Sequence, residues 1–158
     1  MKILKYTWLL FPVLGWAKIS EPAISTFSIV ARDQQTGEIG VAVQSKFIAV
    51  GAVVPYAQAE VGALASQAWG NPRYGPVGLD LLARGKTAEE VVRLMTEADQ
   101  NREHRQLAVI GTEGNASIFT GKKCKDWAGG KTGFNYAVHG NLLAGADVID
   151  AMSLGFEE

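Results

Sequence analysis

The stretch that decides the fold runs from Thr26 to Lys46, TFSIVARDQQTGEIGVAVQSK. Its opening residues alternate: Phe27, Ile29 and Ala31 fall on one side of an extended chain, and Thr26, Ser28 and Val30 on the other. Gln34 to Gly37, QQTG, is polar and ends in glycine, a composition that suits a hairpin loop. Glu38 to Lys46, EIGVAVQSK, reads as the returning strand. With QQTG as the whole loop, Asp33 faces Glu38 and Thr26 faces Ser45, with Lys46 one position further on. A bulge or shift of one residue would bring Lys46 opposite Thr26 instead.

Beyond the hairpin, Ala52 to Trp69 reads as two more short strands, with Pro55 placed near an edge or bulge. Gly70 to Gly85 changes period: Val77, Leu79, Leu81 and Leu82 precede Gly85, a helix stop. Thr87 and Glu90 form a T-x-x-E capping box that opens a helix through about Ala98, with Val91, Leu94, Met95 and Ala98 on one face. Strands resume at Gln106 to Ile110 and Ala116 to Thr120, a loop holds Lys122 to Gly133, and Tyr136 to His139 is a last short strand. Asp147 onward is helical to the end. Strands, helices, strands and a helix make an α+β fold with largely antiparallel pairing. Glu157 and Glu158 fall within a helix that has no capping glycine, so the chain is expected to be C-terminally incomplete.

The N-terminal MKILKYTWLLFPVLGWAK places Lys2 and Lys5 ahead of an apolar run from Tyr6 to Ala17. This is the pattern of a secretory signal peptide. The run is too short for a membrane span of roughly 20 residues. Small residues suit cleavage after Gly15-Trp16-Ala17 or after Ala23-Ile24-Ser25. The expected organisation is a signal peptide over 1–25 (or 1–17) and one domain over 26–158. The protein is expected to be exported, periplasmic or secreted, and to touch a membrane only transiently through the leader.

A chain of 158 residues that is 47% hydrophobic is long enough to bury one core. A formal net charge of −1 gives no global field that favours nucleic acid or an anionic membrane. The lone Cys124 excludes an intramolecular disulfide framework and a multi-thiolate zinc site. His104 and His139 lack ligand spacing, so no metal is expected. AGGKTG lacks the glycine spacing of a phosphate loop, Lys125 standing where glycine is required. No G-x-S-x-G elbow occurs. Lys122, Lys123 and Lys125 surround Cys124 in sequence and would lower its pKa if close in space; the plainer reading is a solvated basic loop. His139 reads as a satisfied core histidine and His104 as exposed.

Thr26 remains. A threonine hydroxyl needs a base within hydrogen-bond reach, and a free α-amine on the same residue can be that base. Its reference pKa of about 7.7–8.0 falls when a cation lies nearby, and Lys46 is the candidate cation. On the residues alone, a β-branched residue that opens a strand is the plainer reading of Thr26.

The segment TFSIVARDQQTGEIGVAVQSKFIAVGAVVPYAQAEVGALASQAWGNPRYGPVGLDLL resembles the DUF1028 family, as do REHRQLAVIG, FTGKKCKDWAGGKTGFNYAVHGNLLAG and VIDAM. The resemblance covers Thr26 to the end. That family is placed in the N-terminal nucleophile (Ntn) hydrolase superfamily. The resemblance implies an αββα sandwich of two stacked antiparallel sheets flanked by helices. It also implies amide hydrolysis by an N-terminal Thr, Ser or Cys, here Thr26. Lys46 resembles in placement the lysine that proteasome-like members carry near the nucleophile. Asn141 in HGNLLAG is a family motif residue whose side-chain N–H suits an oxyanion. Gln67 and Asn71 in SQAWGNP are expected to line the same cleft and bind substrate. Family members normally continue past AMSLGFEE.

The expectation is an exported Ntn-type amidohydrolase with a small amide or peptide substrate, no metal or organic cofactor and no nucleic-acid partner; oligomeric state is open, though a sandwich missing elements would gain from pairing as a homo-oligomer. The second reading is a non-catalytic envelope or surface protein that binds a partner or assembles on the same fold. A third makes Cys124 a reactive thiol.

Overall fold

A computed structural model describes residues 24–158; residues 1–23 of the expected leader, with its earlier cleavage site, lie outside the described residues. The elements are β1 (Thr26–Arg32), β2 (Ile39–Ser45), β3 (Pro55–Gln58), β4 (Gly62–Ala68), α1 (Tyr74–Ala83), α2 (Ala88–Glu97), β5 (Arg105–Gly111), β6 (Ala116–Thr120), β7 (Gly129–Gly133), β8 (Tyr136–Asn141) and α3 (Asp147–Glu157). They form an α+β fold with two four-stranded antiparallel sheets, in the orders β2-β1-β8-β7 and β3-β4-β5-β6.

The first hairpin closes as its sequence requires. Asp33 Oδ1 accepts from the backbone N–H groups of Gln35 and Thr36 at 2.7 and 2.8 Å, and Gly37 takes the φ of 75° that ends the turn. These two bonds favour the carboxylate and hold Asp33 below its ordinary pKa. The Asp33 N–H donates to Glu38 O at 2.8 Å, so the register runs without a bulge and pairs Thr26 with Ser45.

Strand alternation sorts side chains by size. In β4 and β5 the larger residues Leu64, Leu107 and Val109 pack with Val91 and Met95 of α2 and Leu82 of α1. In β8, Tyr136 and Val138 pack with Ile149 of α3. The alternate positions Val30, Ala63, Ala65, Ala108, Ile110 and Ala137 form a third cluster that joins the two sheets. Fully burying a side chain such as Leu64 or Val91 contributes ~1.5–3 kcal/mol, so these clusters dominate the stability.

The helices begin and end where the sequence places the signals. Thr87 Oγ1 accepts from Glu90 N at 3.2 Å while Glu90 Oε2 accepts from Thr87 N at 3.0 Å, a closed capping box. Gly85, at φ 81°, donates to Leu82 O and Lys86 N donates to Leu81 O, a Schellman stop for α1. The buried face of α1 includes glycines. Val77 is exposed, whereas Gly75 and Gly78 are buried. A Cβ on Gly78 would lie 2.6 Å from Leu64 Cδ2, so glycine permits the helix to sit close to the sheet. On α2, Val91 and Met95 are buried as expected, but Val92 and Thr96 are buried in place of Leu94 and Ala98.

One strand was not expected. Gly129–Gly133 pairs with β8 as the edge strand β7, inside the segment that reads as a loop. Two of its glycines lie under aromatic rings: a Cβ on Gly129 or Gly133 would meet the Trp127 or Tyr136 ring at 2.5 or 2.1 Å. The side chains that normally mark a strand are excluded there by packing.

Candidate functional site

The layer between the sheets changes character along its length. Past the apolar cluster, the inward positions become Ser28 and Thr26 on β1, Gln67 on β4, Gln106 on β5, and His139 and Asn141 on β8, all buried. Strand pairing sets Thr26 between Ser45 on one side and Asn141 on the other, and Gln67 beside Gln106. Polar groups withdrawn from water stay favourable only if bonded, and most of these are. Ser28 Oγ donates to Gln67 Oε1 at 2.5 Å, and Gln67 Nε2 donates to Gln106 Oε1 at 3.0 Å and Thr26 O at 3.3 Å. Gln106 Nε2 donates to Gly140 O at 2.7 Å and Thr120 Oγ1 at 3.1 Å, and Asn141 Nδ2 donates to Gln106 Oε1 at 3.0 Å. The network ties both sheets together directly beneath Thr26.

Thr26 is 8% exposed, and its Oγ1 lies 2.8 Å from Ser45 Oγ. Ser45 Oγ also accepts from Phe47 N at 3.0 Å, which fixes its position. Just upstream, Ser25 Oγ donates to Leu142 O at 2.6 Å. Thr26, Gln67 and Asn141 share the wall of a cavity of about 610 Å³ with apolar residues that include Phe47, Val54 and Trp69. Ile24 lines the same cavity. Two non-glycine residues on its wall, Ala68 at φ 65° and Leu142 at φ 55°, end β4 and follow β8 in left-handed conformations. Such strain costs on the order of 1–3 kcal/mol per residue and concentrates at functional sites.

The aromatic wall is braced. Trp69 stacks on His104 with ring centroids 4.7 Å apart, and Trp69 N donates to His104 O at 3.1 Å. The Arg105 guanidinium donates to Trp69 O and to Asp99. Burial alone would raise the Asp99 carboxyl, but Arg105, Asn101 N and the Tyr74 hydroxyl bring its pKa down to about 2. Burial and Asp99 push the Tyr74 phenol up. Asn71 belongs to this brace rather than to the cavity: Nδ2 donates to Asp99 Oδ2 at 3.4 Å and Oδ1 accepts from Arg73 N at 3.1 Å.

Of the residues singled out from sequence, Thr26, Gln67 and Asn141 come together. Lys46 follows β2, exposed, and is not among the cavity-lining residues; the unbulged register gives the place beside Thr26 to Ser45. Sequence reasoning passed over Gln106 and Ser28, and the signal was present: a glutamine in the apolar run RQLAVIG and a serine on the inward face of β1.

The histidines depart from expectation. His104 is half-buried in the stack rather than exposed. His139 is fully buried, and neither ring nitrogen has a hydrogen-bond partner among the described residues. Desolvation pushes its pKa down to about 3, so it is neutral near pH 7. Cys124 lines the cavity, but burial pushes its thiol pKa up, and Sγ donates to Arg105 O at 3.4 Å. The neighbouring lysines therefore do not make it a thiolate. Among the described residues no group of three or more His, Cys, Asp or Glu could hold a metal, and no helix is long and apolar enough to cross a membrane.

The sequence profile of a family of unknown function, DUF1028, matches residues 26–158. A crystal structure of a DUF1028 protein from Silicibacter pomeroyi superposes with a TM-score of 0.81 at 36% sequence identity, over 84% of this chain and 61% of that one. The chain thus spans about three-fifths of the length of that relative. No curated protein matches significantly.

Proposed function

The chain belongs to the DUF1028 family, and on that premise we propose that it is an exported amidohydrolase of the Ntn type, an αββα sandwich whose nucleophile is Thr26 once Thr26 is the first residue. The observation that carries this reading is position: Thr26 opens β1, between Ser45 and Asn141, with a cavity before it and a bonded polar network beneath it. A residue that only begins a strand needs none of these.

Cleavage between Ser25 and Thr26 releases a free α-amine on Thr26. That amine, as general base, takes the Oγ1 proton as the oxygen attacks the amide carbonyl. Lys123 and Lys125 line the same cavity and disfavour the ammonium form of the amine, the task that Lys46 was expected to perform. Ser45 fixes the rotamer of Thr26 through the 2.8 Å hydroxyl contact. The Asn141 amide uses one N–H on Gln106 and keeps a second for the tetrahedral oxyanion. Collapse expels the amine, which takes the proton from the α-ammonium. Water, deprotonated by the regenerated α-amine, then attacks the Thr26 ester and releases the acid. Removal of the upstream segment also takes Ile24 from the cavity wall, so processing frees the base and enlarges the site together.

Thr26→Ala tests the reading. Turnover of a reporter amide is expected to vanish while circular dichroism and melting temperature hold. Retained turnover would leave Thr26 a structural residue.

A second reading, a non-catalytic protein that binds a partner or a second copy, is favoured by exposed apolar side chains that follow β2 and flank the cavity, Phe47 and Ile48 (89% exposed) with Val53 and Trp69. Loss of self-association on Ile48→Asp, with no amide turnover in the parent, would support it.

A further inference from the structure

The cavity has an uneven charge. Among its described lining residues there is no Asp or Glu, while Lys123 and Lys125 stand on one wall. Neither lysine has an ion-pair partner among the described residues. The nearby Arg105 is committed to Asp99 and Trp69 O, so these lysines are the free cations of the wall. Their backbone is held from both sides: Lys123 N donates to Glu103 O at 2.7 Å, and Lys125 O accepts from Leu142 N at 3.1 Å. A Cβ on Gly121 would meet Glu103 backbone atoms at 2.4 Å, so the segment is pressed against the turn at residues 102–104. Much of the remaining lining is apolar, including Val50, Val53, Val54 and the Trp69 ring.

From this division we infer that the cavity selects a small molecule with an apolar or aromatic body and an anionic end, the body on the valine and tryptophan wall and the anion at Lys123 and Lys125. Resting on the hydrolase reading for its amide bond alone, the substrate class is an N-acyl compound with an apolar acyl group and a carboxylate, of which N-acyl amino acids are the simplest members. Apolar burial supplies most of the affinity, and the cations supply the choice between acid and neutral amide. The cations are partly solvated, so their effect falls as salt rises.

Calorimetric titration of the Thr26→Ala protein, which separates binding from turnover, tests this. The probes are N-phenylacetylglycine, its uncharged glycinamide and N-acetylglycine. The carboxylate is expected to bind about two- to five-fold more tightly than the glycinamide at low salt, an effect of the size exposed charges give. Lys123→Gln with Lys125→Gln should remove that preference, and N-acetylglycine should bind more weakly for want of an apolar body. Equal affinity for acid and glycinamide, a preference that survives the double substitution, or no binding of any probe would overturn the inference. Wild-type hydrolysis is read separately. Selective binding without turnover contradicts the hydrolase reading alone, and turnover without charge preference contradicts the inference alone.

Discussion

Thr26 Oγ1 and Ser45 Oγ lie 2.8 Å apart across the β1–β2 pair, and Ser45 is itself pinned by the Phe47 N–H. The contact follows from a hairpin loop of the length the sequence implies, which leaves the register unbulged. It orients the hydroxyl by a neutral group rather than by a lysine. Ser45→Ala is therefore expected to lower kcat by about 5- to 10-fold, the equivalent of one hydrogen bond of ~1 kcal/mol, with KM little changed. Lys46→Gln should change kcat by less than about two-fold. Steady-state kinetics on a reporter amide measure both, and a larger loss for Lys46→Gln than for Ser45→Ala would reverse the assignment.

Gln106 holds the network between the sheets. Gln106→Leu removes the acceptor of one Gln67 N–H and of the Asn141 N–H, and the side-chain donor to Gly140 O, in a buried layer. Unsatisfied buried groups cost about 1–3 kcal/mol each, so the unfolding free energy should fall by at least about 3 kcal/mol in urea titration. A loss under about 1 kcal/mol would show that the layer can repack or admit water.

His139 links stability to pH. Its folded pKa lies near 3, below the ordinary value of 6.5, so the unfolded chain binds a proton that the folded chain refuses. Stability is therefore lost as pH falls from 6.5 toward 3, by up to ~1.4 kcal/mol per pH unit, and is unaffected by this group above 6.5. His139→Gln should flatten the melting temperature between pH 6.5 and 4 relative to the parent. An equal slope in both proteins would assign the acid sensitivity to other groups.

Cys124 should label slowly. Burial raises its pKa, so a maleimide or disulfide reagent at pH 7 is expected to react more slowly than with free cysteine. Faster labelling than free cysteine would restore the reactive-thiol reading.

Much of the fold was legible because local signals carried it: the alternation of Thr26 to Arg32, the Asp33-to-Gly37 turn, and the Thr87–Glu90 box. The elements that escaped are those in which tertiary packing replaces a side chain. Gly129–Gly133 has no strand signature because the rings of Trp127 and Tyr136 occupy the space its side chains would fill. Gly75 and Gly78 turn to the sheet because the contact there is too close for leucine. At the site, Thr26, Gln67 and Asn141 are brought together by pairing between distant strands. Asn71 lies only four positions from Gln67 but turns outward to Asp99, since the chain leaves β4 through Ala68 in a left-handed conformation. Sequence proximity did not report that reversal.

Catalysis by this route depends on the free amine of Thr26, so the mature N-terminus is its decisive test. N-terminal sequencing or intact mass of the protein recovered after export should give a chain that begins at Thr26. A chain that begins at Lys18, with the Thr26 nitrogen still in a peptide bond to Ser25, would contradict it.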